Sequence, residues 1–533
     1  MTAVRPSWRR LLGDRAESLS PEGEPFDRRI RLVVLAAVVL GTVLRVWLVL
    51  SPLGPYDSDE AVAGLMGRHF LDGEFRAFYW GQPYGGTHEA ALLALLFAMG
   101  TPVRLAMEGV PIALSAVAAV LVWRIGLRTV GRHAGLLAAA LLWTTTAVFV
   151  WQSTKERSFY ATTLVAGLAV TLLALRLLAR PSRLDALLLG VAGGIGWHSS
   201  PNIVYFAAPA LVWLVAESVR LGRRDVLRLW WVAAGGAVVG GLPWIASNLA
   251  SGGASFDLVP YSSGTTYLNR LGLFFKEALP YALGVQTPHE PMGWPSALLY
   301  LLLLAGVIVA VVRLPRPAWG IGVGLVVFPF VFAAFPTSWY VGEPRYLSFL
   351  WPFVVLAVAA ALVRVHRRRP GVAVVALGVI ALYTVAGTAV MVERSEWSVV
   401  GDYSPGDLTP LVAQLGGEEA VFADYWIAYR LALATEERIV AAPLDTARYP
   451  PYVEQVRAVA VPAYVFFRQS CVEGEFLRYL GERGITSVRR EAGRFSVVQP
   501  AQRVLPEDGF MARVFAQDFQ QGQICPPGTR RLR

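Results

Sequence analysis

The sequence predicts a mainly α protein: a polytopic bundle of about eleven membrane-spanning helices followed by a small C-terminal α/β domain. Three observations predict it. Hydrophobic residues make up 55% of the 533 residues and charged residues only 16%, against about 25% charged in a typical soluble domain. Apolar runs of roughly 20 residues, long enough to cross a hydrocarbon core, recur along the chain up to residue 391. From about residue 393 the apolar runs shorten and charged residues return, the pattern of short buried strands alternating with helices.

Taken in order, residues 1–30 are polar and Arg-rich, without the apolar stretch of a signal peptide, and read as a cytoplasmic tail. Spans are expected near 31–51, 104–123, 133–151, 160–179, 184–198, 201–219, 229–248, 295–312, 317–335, 346–363 and 371–391. The linkers sort into two sets. The tail and linkers 124–132, 176–183, 220–228, 313–316 and 364–369 are rich in arginine. The alternate linkers, 52–103, 151–159, 198–200, 249–294 and 336–345, carry only Arg68, Arg76, Lys155, Arg157, Arg270, Lys276 and Arg345. Basic residues collect on the cytoplasmic side, so the N-terminus is expected inside and the second set of loops outside. The short run at 184–198 counts as a span because omitting it would place Arg-rich 220–228 outside. The net charge of +10 is thereby a mark of topology rather than of nucleic-acid binding.

This divides the chain into a tail (1–30), a transmembrane domain (31–392) with outer loop 52–103, and an extracytoplasmic α/β domain (393–533). In that domain strands are expected at 420–423, 438–441, 463–467 and 495–498, with helices over 408–415 and 474–484. Cys471 and Cys525 both lie there. Outside the cytoplasm they form either a disulfide or two unrelated thiols.

The chemistry-bearing residues fall in the outer loops. Asp57, Asp59 and Glu60 follow the first span directly; carboxylates so near hydrocarbon need a metal, a basic partner or a proton-transfer role. One of them can cap the amphipathic helix that the spacing of Ala61, Val62, Leu65, Met66 and Phe70 predicts. The stretch 77–89, with Tyr79, Trp80, Gln82, Tyr84, His88 and Glu89, suits a sugar, or else anchors the loop among lipid headgroups. Lys155 and Arg157 flank Glu156 before Tyr160; Glu343 and Arg345 precede Tyr346. These cations can hold a phosphate, or pair with local acids to tie loops together. No nucleotide cradle, HExxH or CxxC pair is present, so no nucleotide cofactor is expected.

Together these residues resemble the integral-membrane GT-C glycosyltransferases, nearest the glycosyltransferases of the aminoarabinose-transferase and protein O-mannosyltransferase group. The resemblance rests on Asp59-Glu60-Ala61 running to Leu71-Asp72-Gly73, on Tyr84-Gly85-Gly86-Thr87-His88-Glu89, on Glu343-Pro344-Arg345-Tyr346-Leu347, and on 423–430 of the C-terminal segment. It implies transfer of a sugar, with inversion, from a polyprenyl-phosphate carrier to an extracytoplasmic glycan, lipid or protein in the cell membrane. It implies Asp59 as the base or acceptor-orienting acid, with Glu60 and then Asp57 as further catalytic acids. A divalent cation on Asp59 and Glu156 is a further possibility that it raises. Other functions compatible with the sequence are a flippase for a lipid-linked saccharide and a non-catalytic envelope-assembly protein.

Overall fold

The computed structural model describes residues 28–256, 265–286, 291–335, 344–393, 406–445 and 447–514. The described residues fall into two compact units, one within Met1–Trp47, Ile112–Ser153 and Phe159–Ala389, the other within Leu48–Pro111, Thr154–Ser158 and Val390–Arg533.

The first unit is helical, and the chain is a multi-pass membrane protein. Among the described residues, seven helices are long and apolar enough to cross a membrane: Arg28–Leu50, Val103–Thr129, Tyr160–Ala179, Pro201–Arg220, Trp294–Val312, Arg316–Ala334 and Pro370–Glu393. An eighth forms if Arg224–Gly240 and Leu242–Ser251, bent by 64°, cross as one. Gly240, Gly241 and Pro243 sit at that bend, where a missing side chain and a missing amide hydrogen both weaken the helix. Seven or eight of the eleven expected spans thus qualify by length and composition among the described residues. The other three runs are helical but do not qualify. The run 133–151 splits into Arg132–Trp143 and Ala147–Gln152. Arg183–Ser199 has only 17 residues. Trp351–Arg368 ends in His366, Arg367 and Arg368.

The split has a visible chemical cause and remedy. Thr144, Thr145 and Thr146 are β-branched and offer hydroxyls that compete with the backbone. The Arg45 Nη1 donates to the carbonyls of Gly41 (2.9 Å) and Trp143 (2.7 Å), and its guanidinium lies 3.6 Å from the Trp143 ring centre. The Thr384 hydroxyl lies 2.9 Å from the carbonyl of Thr145. Carbonyls released by the break are therefore satisfied inside the bundle, as hydrocarbon demands.

Elsewhere small residues set the packing. A Cβ on Gly190 or Gly194 would fall 1.9 Å from the Ala233 carbonyl oxygen or 2.3 Å from that of Ala237. One on Gly236 or Gly240 would fall 2.2 Å from the carbonyl oxygens of Leu187 and Val191 respectively. Two GxxxG faces thus bring Arg183–Ser199 and Trp230–Gly240 backbone to backbone.

The second unit is built on a five-stranded sheet: β1 (Ala420–Ala423), β2 (Val440–Pro443), β3 (Ala463–Phe467), β4 (Ser487–Ala492) and β5 (Phe495–Pro500), in the order β2-β1-β3-β5-β4. β1 pairs parallel with β2 and β3, while β5 runs antiparallel to β3 and to β4. β1, β2 and β3 are buried throughout and read as continuous apolar runs. β2 begins two residues later than the sequence pattern placed it. β4 and the helices Tyr425–Ala434 and Pro450–Ala458 add to the expected elements. Cys471 is disulfide-bonded; the chain's other cysteine, Cys525, lies outside the described residues.

The first-loop helix Ser58–Leu71 packs on Tyr425–Ala434 within this unit. A Cβ on Gly64 would lie 2.6 Å from Leu433 Cδ2, so a side chain there would push the two helices apart.

Candidate active site

The three clustered acids have separate roles. Asp57 is the N-cap of Ser58–Leu71: its Oδ1 accepts from the Glu60 amide (3.0 Å), and Glu60 Oε2 accepts from the Asp57 amide (2.8 Å). This capping box satisfies two amides that the helix start leaves without partners. The other Asp57 oxygen accepts from Arg157 Nη1 at 2.6 Å. Burial raises the Asp57 carboxyl, but Arg157 and Lys155 outweigh it and hold the group below the usual carboxylate range. Glu60 is 1% exposed. Its burial outweighs Lys155, 3.4 Å away, and pushes it up to about 7.

Lys155 is spent on structure, since its Nζ also donates to the carbonyls of Gly54 (3.1 Å) and Pro55 (2.7 Å). In the structure Lys155 and Arg157 meet local acids and carbonyls, as in the loop-tying alternative that the sequence left open. Their hydrogens hold the chain between the first span and Ser58–Leu71.

Asp59 meets a different set of groups. Its backbone carbonyl accepts the Tyr79 hydroxyl (2.7 Å), and its Oδ1 accepts the Tyr425 hydroxyl (2.5 Å). Arg448 Nε donates to that same Tyr425 oxygen at 3.2 Å, and Arg448 Nη1 to Gln82 Oε1 at 3.1 Å. The guanidinium also lies 5.6 Å from the Tyr79 ring centre and 5.9 Å from that of Tyr425. Burial first, then the Asp59 charge, hold the Tyr425 hydroxyl well above the usual phenol range, so it donates and does not ionise. Burial lowers Arg448, but Tyr425, Tyr79 and Asp59 outweigh it and raise the guanidinium.

The loop that delivers Gln82 is a tight one. Phe78 and Gly86 form an antiparallel bridge, and the Tyr79 amide donates to the Gly85 carbonyl at 2.8 Å. Gly81 has φ +71°, and a Cβ there would fall 2.9 Å from the Arg448 Cα. Tyr84 contributes its carbonyl to Gln82 Nε2 at 3.2 Å, and His88 opens the helix His88–Ala98. Trp80 stacks on Tyr449 with ring centres 4.2 Å apart. Two links complete the fastening: Arg68 Nη2 to Glu436 (3.0 Å) and His69 Nε2 to Glu437 (2.9 Å).

Glu89 and Glu156 form a different set. Both are buried, at 0% and 1% exposed. Burial first, then the Glu89 charge and a hydrogen bond with Glu89, push Glu156 well above the carboxylate range. Two buried carboxyls in contact hold one proton between them, and the Ser158 amide donates to Glu156 Oε1 at 2.7 Å. Among the described residues no three His, Cys, Asp or Glu side chains gather where they could hold a metal ion. The suggested Asp59 and Glu156 ligands thus find no third partner of those types there.

In the first unit, the Arg345 guanidinium lies 5.6 Å and 5.7 Å from the ring centres of Tyr160 and Tyr346, which are 6.0 Å from each other. Glu343 lies outside the described residues. The sequence reading named Gln82 within the sugar-suited stretch 77–89 but did not pick out Arg448. It quoted Tyr425 within the C-terminal stretch but gave it no role.

The fold is that of the GT-C integral-membrane glycosyltransferases. Residues 87–246 match the family model described as dolichyl-phosphate-mannose-protein mannosyltransferase. Among solved structures the chain is similar to ArnT from Cupriavidus metallidurans. With the structure bound to undecaprenyl phosphate it shares a TM-score of 0.58 at 14% identity, covering 88% of this chain and 98% of that one. With the apo structure the TM-score is 0.59 at 14% identity, covering 88% and 97%. No curated protein matches the chain by sequence.

Proposed function

We propose that the protein is a membrane glycosyltransferase that moves a sugar from a polyprenyl-phosphate carrier to an extracytoplasmic glycan, lipid or protein, with Asp59 as the base. The observation that carries this reading is the separation of the acids. Asp57 and Glu60 are tied into the cap and its ion pairs, whereas Asp59 is set among hydroxyl, guanidinium and carboxamide groups. The family-model match over 87–246 supports the class of reaction. The likeness of fold to a protein crystallised with undecaprenyl phosphate supports the class of donor.

In the reaction, an acceptor oxygen attacks the anomeric carbon and forms the new glycosidic bond. The bond from that carbon to the carrier phosphate breaks, and the phosphate leaves with the electron pair. The acceptor proton passes to Asp59. Charge grows on the leaving phosphate, and Arg345, beside the rings of Tyr160 and Tyr346, is the cation proposed to meet it. The donor's apolar tail needs the hydrocarbon that surrounds the first unit, and no nucleotide cofactor takes part.

The arginine distribution supports a cytoplasmic N-terminus, with loop 52–103 and the C-terminal segment outside the cell membrane. The test is incubation of purified protein with undecaprenyl-phosphate-linked hexoses and pentoses plus an envelope extract, followed by mass analysis. Transfer by the wild type and none by Asp59→Asn is expected. Equal transfer by both removes Asp59 from the chemistry.

A further inference from the structure

We propose that Tyr425 and Arg448 are positioning residues for Asp59, supplied by the crevice at the carboxyl ends of β1 and β2. The proposal rests on the reading of Asp59 as the base. The sheet order places β2 on one side of β1 and β3 on the other. The connections therefore diverge at β1, and the crevice outside the carboxyl ends of such strands is where open α/β sheets carry their ligand-handling groups. Asp424 and Tyr425 follow β1 directly. Arg448 follows β2 by five residues, and its amide donates to the Tyr429 hydroxyl at 2.5 Å.

The order of donors matters. Arg448 Nε–H points to the Tyr425 oxygen (3.2 Å), and the Tyr425 hydroxyl hydrogen points to Asp59 Oδ1 (2.5 Å). A chain of hydrogen bonds headed by a cation polarises each member toward the next. It fixes one carboxylate oxygen and with it the orientation of the Asp59 carboxylate. Arg448 forms no ion pair among the described residues; its side-chain hydrogen bonds go to Tyr425 and to Gln82 Oε1.

The experiment uses the full chain in detergent with the undecaprenyl-phosphate sugar that the wild type turns over. Tyr425→Phe keeps the ring and removes the hydroxyl. Its kcat for acceptor transfer is expected to fall at least ~10-fold, since small misplacements of a reacting group can cost about 100-fold, with donor KM changed less than about 2-fold because the donor's ground-state binding is untouched.

Azide then replaces the acceptor. It attacks the anomeric carbon without a proton to lose, so glycosyl azide formation should be nearly equal in wild type, Asp59→Asn and Tyr425→Phe. Arg448→Lys, which keeps the charge but loses the Nε–H, should show an intermediate loss with acceptor and none with azide. If acceptor and azide turnover fall together in Tyr425→Phe, the residue is only structural and the proposal is overturned. Wild-type acceptor turnover in Tyr425→Phe overturns it too. Full acceptor turnover in Asp59→Asn overturns instead the reading on which it rests.

Discussion

At the scale of single residues, three acids within four positions carry three different tasks. Asp57 caps, Glu60 is buried against Lys155, and Asp59 meets Tyr425. Asp57→Ala removes both cap and ion pair, while Asp57→Asn removes the charge but keeps an oxygen that caps well. The two variants should therefore differ by about 1 kcal/mol in stability, the usual worth of an N-cap, read as thermal unfolding in detergent. Equal loss in both would show that the cap contributes nothing. The cluster was legible in the sequence, and so was the capping option. The division of labour was not, because Tyr425 and Asp59 are separated by 366 positions. Arg448 carried no signal of its own, being one arginine among many.

At the scale of elements, apolar run length identified the spans well and strand edges poorly. The breaks at Thr144–Thr146 and Gly240–Pro243 lie inside runs that look continuous by composition, and only tertiary partners such as Arg45 and Thr384 make the first of them tolerable. β4 escaped notice because charged Arg489, Arg490 and Glu491 interrupt its apolar pattern on an edge strand, where charge protects against further pairing. The tight loop around Gly81 is a testable element. Alanine there must adopt φ +71° and meets the Arg448 backbone at 2.9 Å, so the loop or Arg448 has to move. Left-handed backbone alone costs about 1–2 kcal/mol for a residue with a Cβ. Gly81→Ala should reduce acceptor transfer at least ~10-fold, as a small displacement of an orienting group can, while leaving azide turnover near wild type. Unchanged acceptor transfer would contradict the placement of Arg448 beside the site.

At the scale of the whole molecule, composition showed a membrane protein with a mixed C-terminal segment, and hydrophobic patterning placed the segment's central strands. It did not show that residues 48–111 and 154–158 form one compact unit with that segment. Local patterns cannot reveal packing among pieces so far apart in the chain. Arginine placement also predicts sidedness. Alkaline phosphatase fused after Arg533 should be active, and green fluorescent protein at the same place dark; the reverse would put the C-terminal segment, Tyr425 and Arg448 included, in the cytoplasm. The account stands or falls, however, on Asp59. The most direct measurement is mass-resolved sugar transfer from undecaprenyl-phosphate sugars by wild type and Asp59→Asn, matched for amount and thermal stability. The account predicts product from the wild type and essentially none from the variant. Product at wild-type rate from Asp59→Asn would contradict it.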